Sequence, residues 1–151
     1  MKNFFVIIAV LLTVYACNES TTNSKETNQV KALINGNQFQ TDKINVEVML
    51  GPARKQLRIY GESGQLALEL ILKFEPMDSI KAGTYYLSKD GDFLGVYYHT
   101  DVKDTATEGT VVLENFIDGQ NPIAKGTFNF LVKQNNTLQY SITNGVFNSG
   151  K

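Results

Sequence analysis

From Leu66 to Phe74 every second residue is apolar: Leu66, Leu68, Leu70, Leu72 and Phe74. Successive side chains of a strand point to opposite faces, so this run forms one unbroken apolar face when extended. Leu, Ala and Glu are also helix formers, and Leu66, Leu70 and Phe74 lie four apart. Strand wins because turn residues bound the run on both sides: Gly61-Glu62-Ser63-Gly64 before it and Pro76 after it. The same period of two recurs in Val30, Ala32 and Ile34, in Ile44, Val46, Val48 and Leu50, and in Phe128, Phe130 and Val132. A chain patterned this way folds into sheets.

The turns agree with the period. Asn35-Gly36 supplies the positive-φ residues of a tight hairpin. Gly51-Pro52, Lys89-Asp90-Gly91-Asp92, Asp118 to Pro122 and Asn135-Asn136 each break an alternating run. Asn144-Gly145 reads as a bulge inside the last strand. Gly83 to Leu87 is a short strand, and Phe93 to Tyr98 and Gly109 to Ile117 are apolar on both faces. Asp101 to Glu108 reads as a polar loop. The count is about nine or ten strands with no helix. Short connections make neighbours antiparallel, and so many strands must curl or split into two layers to bury one face. The expected fold is all-β, a single antiparallel β-barrel or β-sandwich, mostly up-and-down; the sequence leaves both open.

The N-terminus has a different pattern. Lys2 is followed by an apolar run from Phe4 to Val14, interrupted by Thr13, and then by Val14-Tyr15-Ala16-Cys17. At about 11 residues the run is short of the roughly 20 that span a bilayer. It has the layout of a secretory signal, and its end resembles a bacterial lipobox, with Tyr15 as the departure. The resemblance implies a signal peptide over residues 1–16 and lipid on Cys17, the only cysteine. Asn18 follows where Asp would mark inner-membrane retention in enteric lipoproteins, so the implied address is the outer membrane, on either face. Asn18 to Gln29 holds no apolar residue and is expected to be a tether, reaching roughly 20 Å as a flexible coil. The all-β domain is then 30–151.

Charge narrows the partners. Without residues 1–16 the chain keeps 13 of its 14 Lys+Arg against 15 Asp+Glu. Nothing so near neutral grips nucleic acid by its phosphates, which takes a concentrated basic surface.

The motifs A-x-I-N-G (Ala32, Ile34, Asn35, Gly36), G-T-Y-x-L (Gly83–Leu87), G-T-F-x-F (Gly126–Phe130) and I-T-N-G-x-F (Ile142–Phe147) resemble a family of uncharacterised lipoproteins of Bacteroidota. The resemblance spans Val30 to Phe147. It implies an anchored all-β domain, with glycines at turns and aromatics toward a core, and brings no activity with it.

Catalytic chemistry has little to draw on. His99 is the only histidine, and Ser63 lacks the G-x-S-x-G spacing of a nucleophile elbow. A hydrolase built on His99 is the disfavoured alternative, and the chain is expected not to be an enzyme. No cofactor is expected. Zinc would want Cys and His. Calcium could use Asp90 and Asp92, or Asp101 and Asp104, but Asp-Gly turns are ordinary hairpin chemistry, so no metal is expected. The tyrosine pairs stand out. Tyr85-Tyr86 and Tyr97-Tyr98 each put one ring on each face of a strand. Tyr85, Tyr86, Tyr97, Tyr98 and His99 are therefore the candidate ligand-binding residues. The expected function is a non-catalytic binding module meeting a glycan or an envelope protein. A lipocalin-like carrier of a small apolar ligand is the alternative, since a barrel of about eight strands can enclose one.

Overall fold

The computed structural model describes residues 27–150. The signal segment, Cys17 and the tether up to Glu26 lie outside the described residues.

Eleven strands form two antiparallel sheets. In chain order they are β1 (Gln29–Ile34), β2 (Asn37–Thr41), β3 (Ile44–Leu50), β4 (Lys55–Ser63), β5 (Leu66–Phe74), β6 (Gly83–Ser88), β7 (Phe93–His99), β8 (Val102–Thr105), β9 (Glu108–Ile117), β10 (Ile123–Gln134) and β11 (Thr137–Asn148). The six-stranded sheet runs β2-β1-β11-β10-β9-β6, and the five-stranded sheet runs β3-β4-β5-β7-β8. Most neighbours are consecutive, as expected. The exceptions are β6, which pairs with β9, β5, which pairs with β7 across the gap that β6 leaves, and β1, which pairs with the last strand. Leu66–Phe74 is a strand throughout, as its alternation requires.

The barrel alternative is corrected: among the described residues the hydrogen-bonded ladder forms two separate sheets and does not close. The chain changes sheet four times, and two of the crossings are tight corners. At the first, Thr41 Oγ1 donates to Glu62 O at 2.5 Å and accepts from Lys43 N at 3.0 Å. At the second, Ala106 N donates to Gly95 O in the five-stranded sheet, and Thr107 N donates to Leu131 O in the six-stranded one, both at 2.8 Å. Each corner thus satisfies its own backbone groups while changing sheet.

The strand missing from the expected count is β8, within the segment read as loop. It is a four-residue edge strand with polar residues on both faces, so it has no hydrophobic period to read. The strand β4 also outruns expectation. Gly61 is not part of a turn; β4 continues to Ser63 and only Gly64-Gln65 reverse the chain.

Gly61 is instead a packing residue. A Cβ there would sit 2.6 Å from Val30 Cγ2, so its absence lets β4 approach β1. Other glycines share this role. Gly126 lies directly across from Phe147, Gly145 from Phe128, and Gly109 from Phe130. Each aromatic ring covers the space that its cross-strand glycine leaves, which pins register. The glycines of the G-T-F-x-F and I-T-N-G-x-F motifs are therefore inside strands rather than at turns. Asn144, at φ 51, forms the expected bulge beside Gly145. Asn35 with Gly36, and Asn135 with Asn136, have the positive φ angles of two-residue hairpins.

One core lies between the sheets. Phe130, Phe147, Leu57, Leu72, Leu113, Ile142 and Val111 are among its fully buried members. Side chains fill the space that an enclosed ligand would need.

These contacts separate two kinds of glycine. Gly126→Ala drives a Cβ into the Val112 carbonyl and the Phe147 ring, and should cost about 1–3 kcal/mol by overpacking. Gly83 has open space around its Cβ position and no positive φ, so Gly83→Ala should be neutral or stabilise by up to about 1 kcal/mol. Urea unfolding of the two variants reads the difference in midpoint.

Candidate functional site

The strand β7 distributes the expected residues by parity. Tyr97 and His99 point to the core side, Tyr98 to the opposite face. Tyr97 is 5% exposed. Its ring stacks on His99 at 5.2 Å and meets Tyr140 of β11 edge-on at 4.8 Å. His99 Nε2 lies 2.9 Å from Asp104 Oδ2, on the edge strand β8. Burial pushes the Tyr97 phenol above its ordinary range, helped by Tyr140 and Asp104. This is an aromatic plug with an inward carboxylate on an edge strand, a device that discourages edge-to-edge pairing.

The plug does not assemble a nucleophile. Ser63, Leu66 and His99 lie in one cross-strand row. Ser63 is thus two strand spacings from His99, roughly 10 Å, beyond hydrogen-bond reach. The acidic turn residues are engaged elsewhere: Asp92 lies 3.8 Å from Arg54 Nη2, and Asp104 faces His99. Among the described residues no three His, Cys, Asp or Glu side chains are placed to share a metal.

Tyr85 faces the core, meeting Phe93 at 5.0 Å and Phe74 at 5.6 Å across the sheets. Tyr86, one residue on, is 74% exposed on the outward face of the six-stranded sheet. The five candidate residues thus divide among three places, and the outward tyrosines Tyr86 and Tyr98 belong to different sheets.

Tyr98 belongs to a larger assembly on the outward face of the five-stranded sheet. The register places Glu47, Arg58, Tyr60, Glu69 and Tyr98 on that face. Glu69 is only 1% exposed although it points away from the core. Both of its oxygens are used. Oε1 accepts from Arg58 Nε at 2.6 Å and also from Arg58 Nη2. Oε2 accepts from the Tyr98 hydroxyl at 2.6 Å. Glu69 strengthens the hold of Arg58 on its proton, against the opposing effect of burial. Tyr98 is pushed up to about 12, first by burial and then by its bond to Glu69.

Tyr60 completes the face. Its ring meets Tyr98 edge-on at 6.5 Å, and its hydroxyl donates to Glu62 Oε2 at 3.2 Å. Burial, then Glu62, raises its phenol above the ordinary range. Depressions open on both sides of this ring. One of about 230 Å³ lies toward Tyr98, Ala67 and Thr100. Another of about 280 Å³ lies toward Lys43 and Asn45. Glu62 lines both. The face therefore presents two half-buried rings with hydroxyls fixed by carboxylates, flanked by open space.

A family of domains of unknown function, DUF6252, matches residues 26–150. The chain belongs to the DUF6252 family. The match covers the whole of the two-sheet domain, and the family description assigns no activity to it. No curated protein and no solved structure matches the chain.

Sequence reasoning named Tyr98 but not Arg58, Glu69 or Tyr60. Each is the polar or amphipathic alternate of an apolar run, which reads as solvated surface. Their convergence depends on the pairing of β4 with β5 and of β5 with β7.

Two outcomes follow from the Glu69 network. Arg58→Ala leaves a buried carboxylate without its cation and should cost about 3 kcal/mol, the low end for such a loss because Arg58 is itself a third exposed. The Tyr98 phenol has a higher pKa folded than its ordinary 10.0. Its contribution is complete below pH 10 and is lost as pH rises toward about 12, because the unfolded chain releases the proton first. Tyr98→Phe should flatten that alkaline fall, read as unfolding stability against pH with phenolate absorbance as the titration signal.

Proposed function

We propose that this domain is a non-catalytic recognition module of the bacterial envelope, anchored at the outer membrane through lipid on Cys17. Its recognition surface is the outward face around Tyr60 and Tyr98. One observation carries the reading: the paired rings, 6.5 Å apart, flank open depressions and have their hydroxyls held by Glu62 and Glu69. Rings fixed in this way make contacts at low entropic cost and stack on sugar rings or protein side chains. The partner is a glycan or an envelope protein. The anchor rests on the lipobox-like run at Val14–Cys17 and on the resemblance to Bacteroidota lipoproteins. The carrier alternative assumed a closed barrel, and the two sheets do not close into one.

Tyr60→Ala removes one ring of the surface and none of the hydrogen bonds that Arg58 and Tyr98 donate to Glu69. Binding to hits from a glycan array, or to envelope proteins captured by the full chain, should weaken tenfold or more, as for an aromatic hot spot. Unchanged affinity in a folded variant would remove this face from the reading.

A further inference from the structure

Leu50 and Met77 are the most exposed large apolar side chains in the domain, at 76% and 94%. They come from different segments. Leu50 ends β3, and Met77 lies between β5 and β6. The two segments are tied together. Leu50 pairs with Lys55, whose Nζ donates to the Asp78 carbonyl at 2.6 Å. Arg54 pairs with Glu75. Val48, two residues before Leu50, and Gly119, two residues after the exposed Ile117, line one cleft of about 420 Å³. Asn28, near the start of the described residues, lines that cleft too.

Exposed apolar residues scattered singly need no explanation. Two segments tied side by side, each presenting a nearly bare Leu or Met, do. Around them Arg54 and Lys55 stand against Glu75, Asp78 and Asp92. The tip therefore offers no net positive charge to an anionic partner. It offers separate apolar points, which suit a deformable apolar phase better than a shaped protein pocket.

We propose that this tip rests on a lipid bilayer and inserts Leu50 and Met77 into it. The choice of bilayer draws on the anchor reading, since a tether reaching roughly 20 Å would hold the tip near the membrane at high effective concentration. Weak insertion then suffices to orient the domain, leaving the Tyr60–Tyr98 face turned outward from a different sheet surface.

Two measurements keep the tip and the anchor apart. Intact mass of the chain purified from membranes reads acyl groups on Cys17; their absence overturns the anchor alone. The tip is read on the full chain carrying Cys17→Ser and Met77→Cys, labelled there with an environment-sensitive fluorophore. Vesicles of phosphatidylethanolamine and phosphatidylglycerol should shift its emission to the blue, and brominated acyl chains should quench it. The same label at Gln38→Cys should not respond. Without the label, Leu50→Ser in the Cys17→Ser chain should lower vesicle partitioning about tenfold, the worth of one buried aliphatic side chain. Added salt should not weaken partitioning, because the tip has no net positive charge whose attraction to anionic lipid could be screened. A label at position 77 that stays in water at saturating lipid overturns the proposal. So does a Leu50→Ser variant that loses an envelope protein while its vesicle partitioning is unchanged.

Discussion

Phe130 sets the spacing of the two sheets. Its ring reaches from β10 across to Gly95 of β7, where a Cβ would lie 2.9 Å from Phe130 Cδ1 and 3.0 Å from Leu87 Cδ1. Its own backbone lies across from Gly109, so a glycine faces this residue both within its sheet and across the core. Phe128 and Phe147 repeat the arrangement with Gly145 and Gly126. Large rings against bare backbone let strands and layers approach closely without voids, and interiors tolerate little else. A filled interior of this kind is a stability device.

The corners at Thr41 and Ala106 decide which outside surfaces exist. Because the chain changes sheet with its backbone groups satisfied, β2 leads into β3 and β8 into β9 with almost no loop. Four strands are left as edges: β2 and β6 in one sheet, β3 and β8 in the other. The short β8 points Asp104 inward to His99, and the single histidine is absorbed there. The polar groups that remain for recognition are those on the outward faces.

On the five-stranded sheet that face is organised around Glu69. A carboxylate so buried is costly unless its oxygens are filled, and Arg58 and Tyr98 fill both. Among the described residues no buried side-chain polar atom lacks a partner. The network fixes the Tyr98 ring, and Tyr98 in turn stands edge-on to Tyr60. The rigidity of the proposed surface thus derives from electrostatics on the sheet, whereas the apolar tip joins the end of β3 at Leu50 to the loop that holds Met77.

Much of this was legible in the chain itself. Apolar runs and alternation pointed to nine or ten of the strands, and turn residues to the Asn35-Gly36 and Asn135-Asn136 reversals and the bulge at Asn144, because all of these depend on a residue and its near neighbours. Parity also determined that Tyr85 and Tyr97 would part from Tyr86 and Tyr98. The edge strand β8 escaped because pairing alone, without apolar burial, makes it a strand. The partners of Glu69 escaped because Arg58 is 11 residues away and Tyr98 29 residues away, joined only through ladder register. Whether the sheets close, which glycines are turns and which are seats for rings, and which tyrosines meet were decided by the tertiary structure. Those are contacts between distant strands, and their register is set by the packing of phenylalanine on glycine rather than by any local preference.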